Sequence, residues 1–181
     1  MNRTGSTTIT ILVLVLALIG MTLGWHARKR RQSYLPRPET VPLHVGRELL
    51  SVEAFYVSTT VADQELNRIA VFGLGFRSRA TVSVTESGVI LSLDAVPETF
   101  IPLSSLRGVD RATYTIDRVV EKGGLVRLAW TLGAVGDPAS VDVDSYFRLQ
   151  EATQSVEFIE AVLSLITDQQ PVDQPTEGST K

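Results

Sequence analysis

The sequence predicts an N-terminal transmembrane helix followed by one mainly-β domain, an antiparallel sandwich or barrel of about seven strands capped by a single C-terminal α-helix. Three patterns carry that reading. Residues 7–25 form an uncharged apolar run followed at once by a basic cluster. Residues 51–148 alternate apolar and polar positions between turn residues, and residues 156–166 change to helical spacing.

The apolar run comes first. At about 1.5 Å per residue it reaches roughly 28 Å, against a hydrocarbon core of about 30 Å. Ile9, Ile11, Leu12, Val13, Leu14, Leu16 and Ile19 favour insertion, and Trp25 closes the run where an amphipathic ring prefers the headgroup layer. Arg28, Lys29, Arg30 and Arg31 follow, whereas only Arg3 precedes. Basic residues close to a span stay on the cytoplasmic side, so the expected topology is single-pass in the plasma (inner) membrane, N-terminus outside and C-terminal domain cytoplasmic. A cleaved signal peptide would place its charge before the run, and Thr22-Leu23-Gly24 is a marginal cleavage site. Gly20 and Gly24 form a small-xxx-small spacing through which the helix could pair with a second copy.

Charge divides the chain more sharply than its net value of −3. Up to residue 40 the only carboxylate is Glu39 among six basic side chains, whereas residues 41–167 hold ten basic and sixteen acidic ones. An acidic domain lacks the basic stripe that phosphate binding needs, which excludes nucleic acid as a partner. The chain has no cysteine, hence no disulfide and no thiolate metal site.

The expected organisation is a short extracytoplasmic segment 1–6, the span 7–25, a basic stop-transfer cluster and Pro-rich linker 26–46, the β domain 47–167 and a disordered tail 168–181. Pro36, Pro38 and Pro42 mark the linker as extended, which would let the domain lie on the membrane or stand clear of it. Strands are expected over 51–60, 68–72, 80–85, 89–93, 99–103, 112–119, 125–132 and 140–148, with Glu86-Ser87-Gly88, Gly123-Gly124 and Gly136-Asp137-Pro138 as turns. The last strand reads as a solvated edge. In the closing helix Val156, Ile159, Leu163 and Ile166 form the apolar stripe, with Phe158 and Val162 beside them and Thr153 or Ser155 as N-cap.

Strand order, terminal helix and three stretches together resemble a family. These stretches are Arg68-Ile69-Ala70-Val71-Phe72-Gly73-Leu74-Gly75-Phe76-Arg77-Ser78-Arg79-Ala80, Glu86-Ser87-Gly88-Val89 and Leu128-Ala129-Trp130-Thr131-Leu132-Gly133. They resemble the bacterial pleckstrin-homology-like domain of single-span actinobacterial membrane proteins. The resemblance covers roughly residues 45–166 and implies two near-orthogonal antiparallel sheets capped by the helix, with a binding or scaffolding role. Eukaryotic pleckstrin-homology domains that grip phosphoinositides use Lys and Arg on the first hairpin. Here residues 60–67 carry Asp63 and Glu65, which argues against that ligand.

Chemistry-bearing candidates are few. Gly73-Leu74-Gly75 lacks the third glycine and the Lys-Ser or Lys-Thr of a phosphate loop and reads as a bend. Arg77 and Arg79 alternate onto one strand face and are the candidate ligand or partner face. Asp142 and Asp144 share a face and with Asp137 could approach a hard cation, but the ligand density of a calcium loop is missing. His26 and His44 neighbour no nucleophile or metal-ligand pair. Trp130, Phe147, Phe55 and Tyr56 read as core or rim aromatics.

No catalytic, metal or cofactor site is therefore expected. The favoured function is a non-catalytic, membrane-anchored interaction module that meets lipid through Trp25, Arg28, Lys29, Arg30 and Arg31 and holds a protein partner with its domain. The alternatives are a peripheral sensor of anionic lipid or a small ligand, and an accessory subunit of a transport or export complex.

Overall fold

The computed structural model describes residues 3–112, 114–115, 118–119 and 124–168. Helix α1 (Arg3–Arg31) continues unbroken from the apolar run through the basic cluster, longer at both ends than the expected span. Ile9, Leu12, Leu16, Ile19 and Leu23 are all exposed along it, so these side chains pack on none of the described residues of the domain. By length and composition α1 can cross a membrane.

The β domain is one rolled antiparallel sheet. Its strands are β1 (Glu48–Val61), β2 (Gln64–Arg68), β3 (Ser78–Thr85), β4 (Gly88–Leu93), β5 (Thr99–Pro102), β6 (Leu106–Ala112), β9 (Leu125–Leu132) and β10 (Val141–Leu149). The path is β5-β4-β3-β1-β10-β9-β6, with β2 paired to β1. A separate two-residue pair, β7 (Tyr114–Thr115) and β8 (Arg118–Val119), lies in the β6–β9 connection. A turn of 3-10 helix, Leu103–Ser105, leads from β5 to β6.

Strand β1 is the corner of the roll. Residues 48–56 pair with β3 and residues 54–61 with β10, and a register shift between Tyr56 and Ser58 bends the strand from one half to the other. Val52, Ala54 and Tyr56 point inward with Val82, Val84, Leu91, Leu128, Trp130 and Phe147, following the period of two. Helix α2 (Ala152–Asp168) closes one end by inserting Phe158, Val162 and Leu165. The Phe158 and Phe147 rings lie 6.4 Å apart, edge to face.

Several expectations shift. The apolar stripe of α2 is rotated: Phe158, Val162 and Leu165 are buried, whereas Val156 and Leu163 are 42% and 43% exposed. The helix starts at Ala152, so Thr153 and Ser155 lie inside it and do not cap it. β10 is a central strand between β1 and β9, not an edge. Residues 69–72 are not a strand, because β2 ends at Arg68 and the Ala70 N–H is taken by a side chain from outside the sheet. Strand β6 occupies residues of which only Ala112 was expected in a strand. Gly123 and the tail from residue 169 lie outside the described residues.

The Pro-rich segment is a strap, not a free linker. Leu35 is buried in the main core. Further along, the Glu39 carbonyl accepts the Phe100 N–H at 2.8 Å and covers the β5 edge. The Val45 carbonyl then takes the Ser87 N–H at 3.2 Å, at the far end of the domain. Contacts on both ends remove the freedom that composition alone implies.

Candidate functional site

The junction between α1 and the domain is the most specified feature of the surface. Gln32, the first residue after α1, is buried. Its Nε2 donates to the Arg68 carbonyl at 2.8 Å and its Oε1 accepts the Ala70 N–H at 2.6 Å, so the amide pairs with the backbone as a strand neighbour would. About two turns upstream, the Trp25 ring packs 5.2 Å from Phe76, and the Lys29 Nζ lies 5.5 Å from the Trp25 ring centre. Phe76 is 57% exposed, and Lys29, Arg30 and Arg31 are exposed beside it.

Loop 69–77, which receives this contact, is fixed from within as well. Val71 and Leu74 close a turn whose central residues, Phe72 and Gly73, both have positive φ (58° and 80°). That conformation is ordinary for glycine and strained for phenylalanine. Inside the core a chain of hydrogen bonds ends on the same loop. The Trp130 Nε1–H donates to Ser145 Oγ (2.9 Å), which bonds Thr59 Oγ1 (2.7 Å), which bonds the Tyr56 hydroxyl (2.6 Å), which donates to the Leu74 carbonyl (2.7 Å). A carbonyl only accepts, so the Tyr56 proton goes to Leu74, Thr59 donates to Tyr56, and Ser145 donates to Thr59 while accepting from the indole. Burial pushes the Tyr56 phenol well above its ordinary value, and it stays a donor at every physiological pH.

Two of the hollows among the described residues set arginines beside carboxylates. One, of about 540 Å³, is lined by Asp63, Arg107, Asp110, Arg127, Asp142 and Asp144. Arg127 donates from Nε and Nη2 to the two oxygens of Asp110, the first at 2.9 Å, and stands 3.7 Å from buried Asp144. Arg107 pairs with Asp142, which also accepts from Thr131 at 2.8 Å. The Asp110 bond holds the Arg127 guanidinium charged. Asp144 behaves oppositely: its desolvation outweighs the pull of Arg127 and lifts its carboxyl above the ordinary range. The second hollow, about 370 Å³, is lined by Glu53, Phe55, Arg79, Thr81, Ser92 and Asp94.

Of the two arginines read as one face, both are exposed. Arg79 lies on β3 opposite Phe55, in the second hollow between Glu53 and Asp94. Arg77 precedes β3, next to Phe76, on the loop that meets α1. Arg28, Lys29, Arg30 and Arg31 complete the last turns of α1. Asp142 and Asp144 share a face as expected, while Asp137 accepts the Ala139 N–H in the β9–β10 loop. Among the described residues, no group of three or more Asp, Glu or His could hold a metal. Of the aromatics, Tyr56, Trp130 and Phe147 are core and Phe55 is half exposed. Sequence reading missed Gln32 and Arg127. A single polar residue in a charged run carries no periodic signal, and an arginine inside a strand reads as a solvated face.

Strand order, the bent β1 and the closing helix agree with a pleckstrin-homology-like fold. Residues 35–163 match the family described as "Bacterial PH domain-like". The chain belongs to that family. The matched region begins at Leu35, so the strap falls within it. Among solved structures, Vav1 inhibited by an allosteric inhibitor is similar with a TM-score of 0.42 and 11% identity, over 71% of this chain and 28% of that one. The chain thus spans little more than a quarter of that structure's length. No curated protein matches. PH-like domains commonly mediate protein or lipid interaction and are generally non-catalytic.

Proposed function

We propose that this chain is a non-catalytic, single-pass membrane protein whose PH-like domain is presented at the cytoplasmic surface in a fixed orientation to bind a protein partner. The observation that carries the reading is the clamp between α1 and the domain. Gln32, Leu35 and the Trp25–Phe76 pair tie the end of the apolar helix to loop 69–77 and the core. A tether meant only to keep a domain nearby needs no such contacts, because a flexible linker raises local concentration by itself. A clamp adds orientation, which matters when a particular face must meet a partner held in the same membrane.

The two hollows are the faces so presented. The first has four carboxylates against two guanidiniums, a balance that favours a partner with exposed basic side chains. Photocrosslinking in the native membrane tests the reading, with a benzophenone side chain placed in turn at positions 107, 79 and 87. The expected outcome is a discrete adduct from position 107 or 79 that is absent from position 87 and is lost on competing salt. Equal, diffuse labelling from all three positions would overturn the docking reading.

A further inference from the structure

We propose that loop 69–77 is a second membrane contact, with Phe76 seated in the headgroup layer beside Trp25 and the domain docked on an anionic bilayer surface. The inference rests on the reading of α1 as a membrane span and adds to it where the domain lies.

The geometry comes from one distance. Trp25 ends the apolar stretch of α1, the position at which an indole ring settles between hydrocarbon and water. The Phe76 ring centre is 5.2 Å away, which is less than the thickness of one headgroup layer, so whatever depth Trp25 takes Phe76 nearly shares. Phe76 is nevertheless 57% exposed, an apolar ring that packs on Trp25 and leaves its other side uncovered. Its place in the loop is not adjustable, since the loop is held by Gln32 from one side and by the Tyr56 hydroxyl from the other. Charge around the ring matches a bilayer surface. Lys29, Arg30 and Arg31 are exposed on the adjoining turns of α1 and Arg77 follows Phe76 directly, within a domain that is otherwise acidic. The acidic hollows would be repelled by such a surface, which adds a reason for this end alone to face it.

The chain lacks cysteine, so single labels can be placed at will. The full-length protein would be reconstituted in vesicles of phosphatidylcholine with phosphatidylglycerol, carrying an environment-sensitive dye on Leu16→Cys, Phe76→Cys or Ser87→Cys. Leu16 lies within α1 and Ser87 in the turn at the far end of the domain. The expected result is quenching of the labels at 16 and 76 by lipid-borne spin labels, deep and shallow respectively, with only the label at 87 open to aqueous iodide. If the label at 16 is lipid-quenched while that at 76 behaves like 87, the docking inference fails and the span stands. If the label at 16 is itself open to iodide, the span reading fails and this inference with it. A dye on Arg77→Cys provides the control that keeps the ring intact: its blue shift on vesicles should be lost on adding Phe76→Ser, and persistence of the shift would also overturn the proposal.

Discussion

Two regions that close the β domain are held differently. At one end α2 pushes Phe158, Val162 and Leu165 between the walls of the sheet, and closure there is by apolar side chains. Loop 69–77 and the strap bury Ile69, Leu74 and Leu35 in the same core, and are held in addition by a side-chain amide, a buried chain of hydroxyls and one aromatic pair. Apolar burial contributes most of the free energy of folding and tolerates small displacements, whereas paired hydrogen bonds contribute less net but fix position within a few tenths of an ångström. The difference teaches that apolar burial is common to both regions, while the bonds that set orientation are added at the loop and strap.

Substitutions at the two ends should therefore fail in different ways. The largest effect is expected from Phe158→Ala, which removes the ring packed on Phe147 and should cost about 3–5 kcal/mol in urea unfolding, enough to abolish a marginal domain. Ser145→Ala comes next, at about 1–3 kcal/mol, because the Trp130 N–H is left buried without an acceptor. A cost within error of zero would mean that the chain of hydroxyls contributes nothing to stability. Gln32→Ala orphans the buried Ala70 N–H and should likewise cost about 1–3 kcal/mol, and in addition broaden the distance distribution between spin labels at positions 21 and 92, measured by pulsed electron resonance. An unchanged, narrow distribution would refute the clamp.

Asp144 gives a pH dependence with a definite sign. Its burial raises the carboxyl above the ordinary value of 3.8, so the folded protein holds this proton to a higher pH than the unfolded chain does. The stability that protonation contributes is complete below the unfolded value and is lost as pH rises through the folded one. Asp144→Asn keeps a neutral group throughout. Its urea midpoint relative to wild type should therefore improve with pH from about pH 4 upward and level off above the folded value. A difference that is flat across this range would show that burial does not govern this carboxyl. The smallest effect belongs to Val156→Ser, within about 0.5 kcal/mol, since the side chain is on the outward face of α2. A cost near that of Phe158→Ala would restore the stripe that periodicity alone predicts.

That stripe shows where sequence reasoning ran short. In α2 two neighbouring rows are apolar, 156-159-163-166 and 158-162-165, and helical spacing cannot tell which of them meets the sheet. Strands 80–85 and 125–132 were legible because Val82 and Val84, or Leu128, Trp130 and Leu132, alternate cleanly with polar neighbours. β6 was not, since a register shift after Leu106 breaks the alternation and leaves Gly108, Asp110 and Arg111 in view. The cluster of Trp25 and residues 28–31 was visible as composition. Its partners Gln32 and Phe76 were not, because the contacts that give them meaning join residues more than 35 positions apart or span the helix and the loop. The family resemblance placed the fold correctly where periodicity left the choice between sandwich and barrel open.

The path of β1 also sets the order in which the molecule can be built. This strand is among the first parts of the domain to be synthesised, yet one of its neighbours is β10, almost the last. The strap before it meets its partners only when Phe100 and Ser87 have emerged. Contacts of such long sequence separation close slowly. If α1 enters the bilayer during synthesis, the strap waits beside it for Ser87 and Phe100, and one edge of β1 stays unpaired until the final strand arrives. Early residues so exposed favour a sequence that resists wrong pairing, and the serines and threonines of β1 and the three prolines of the strap fit that need.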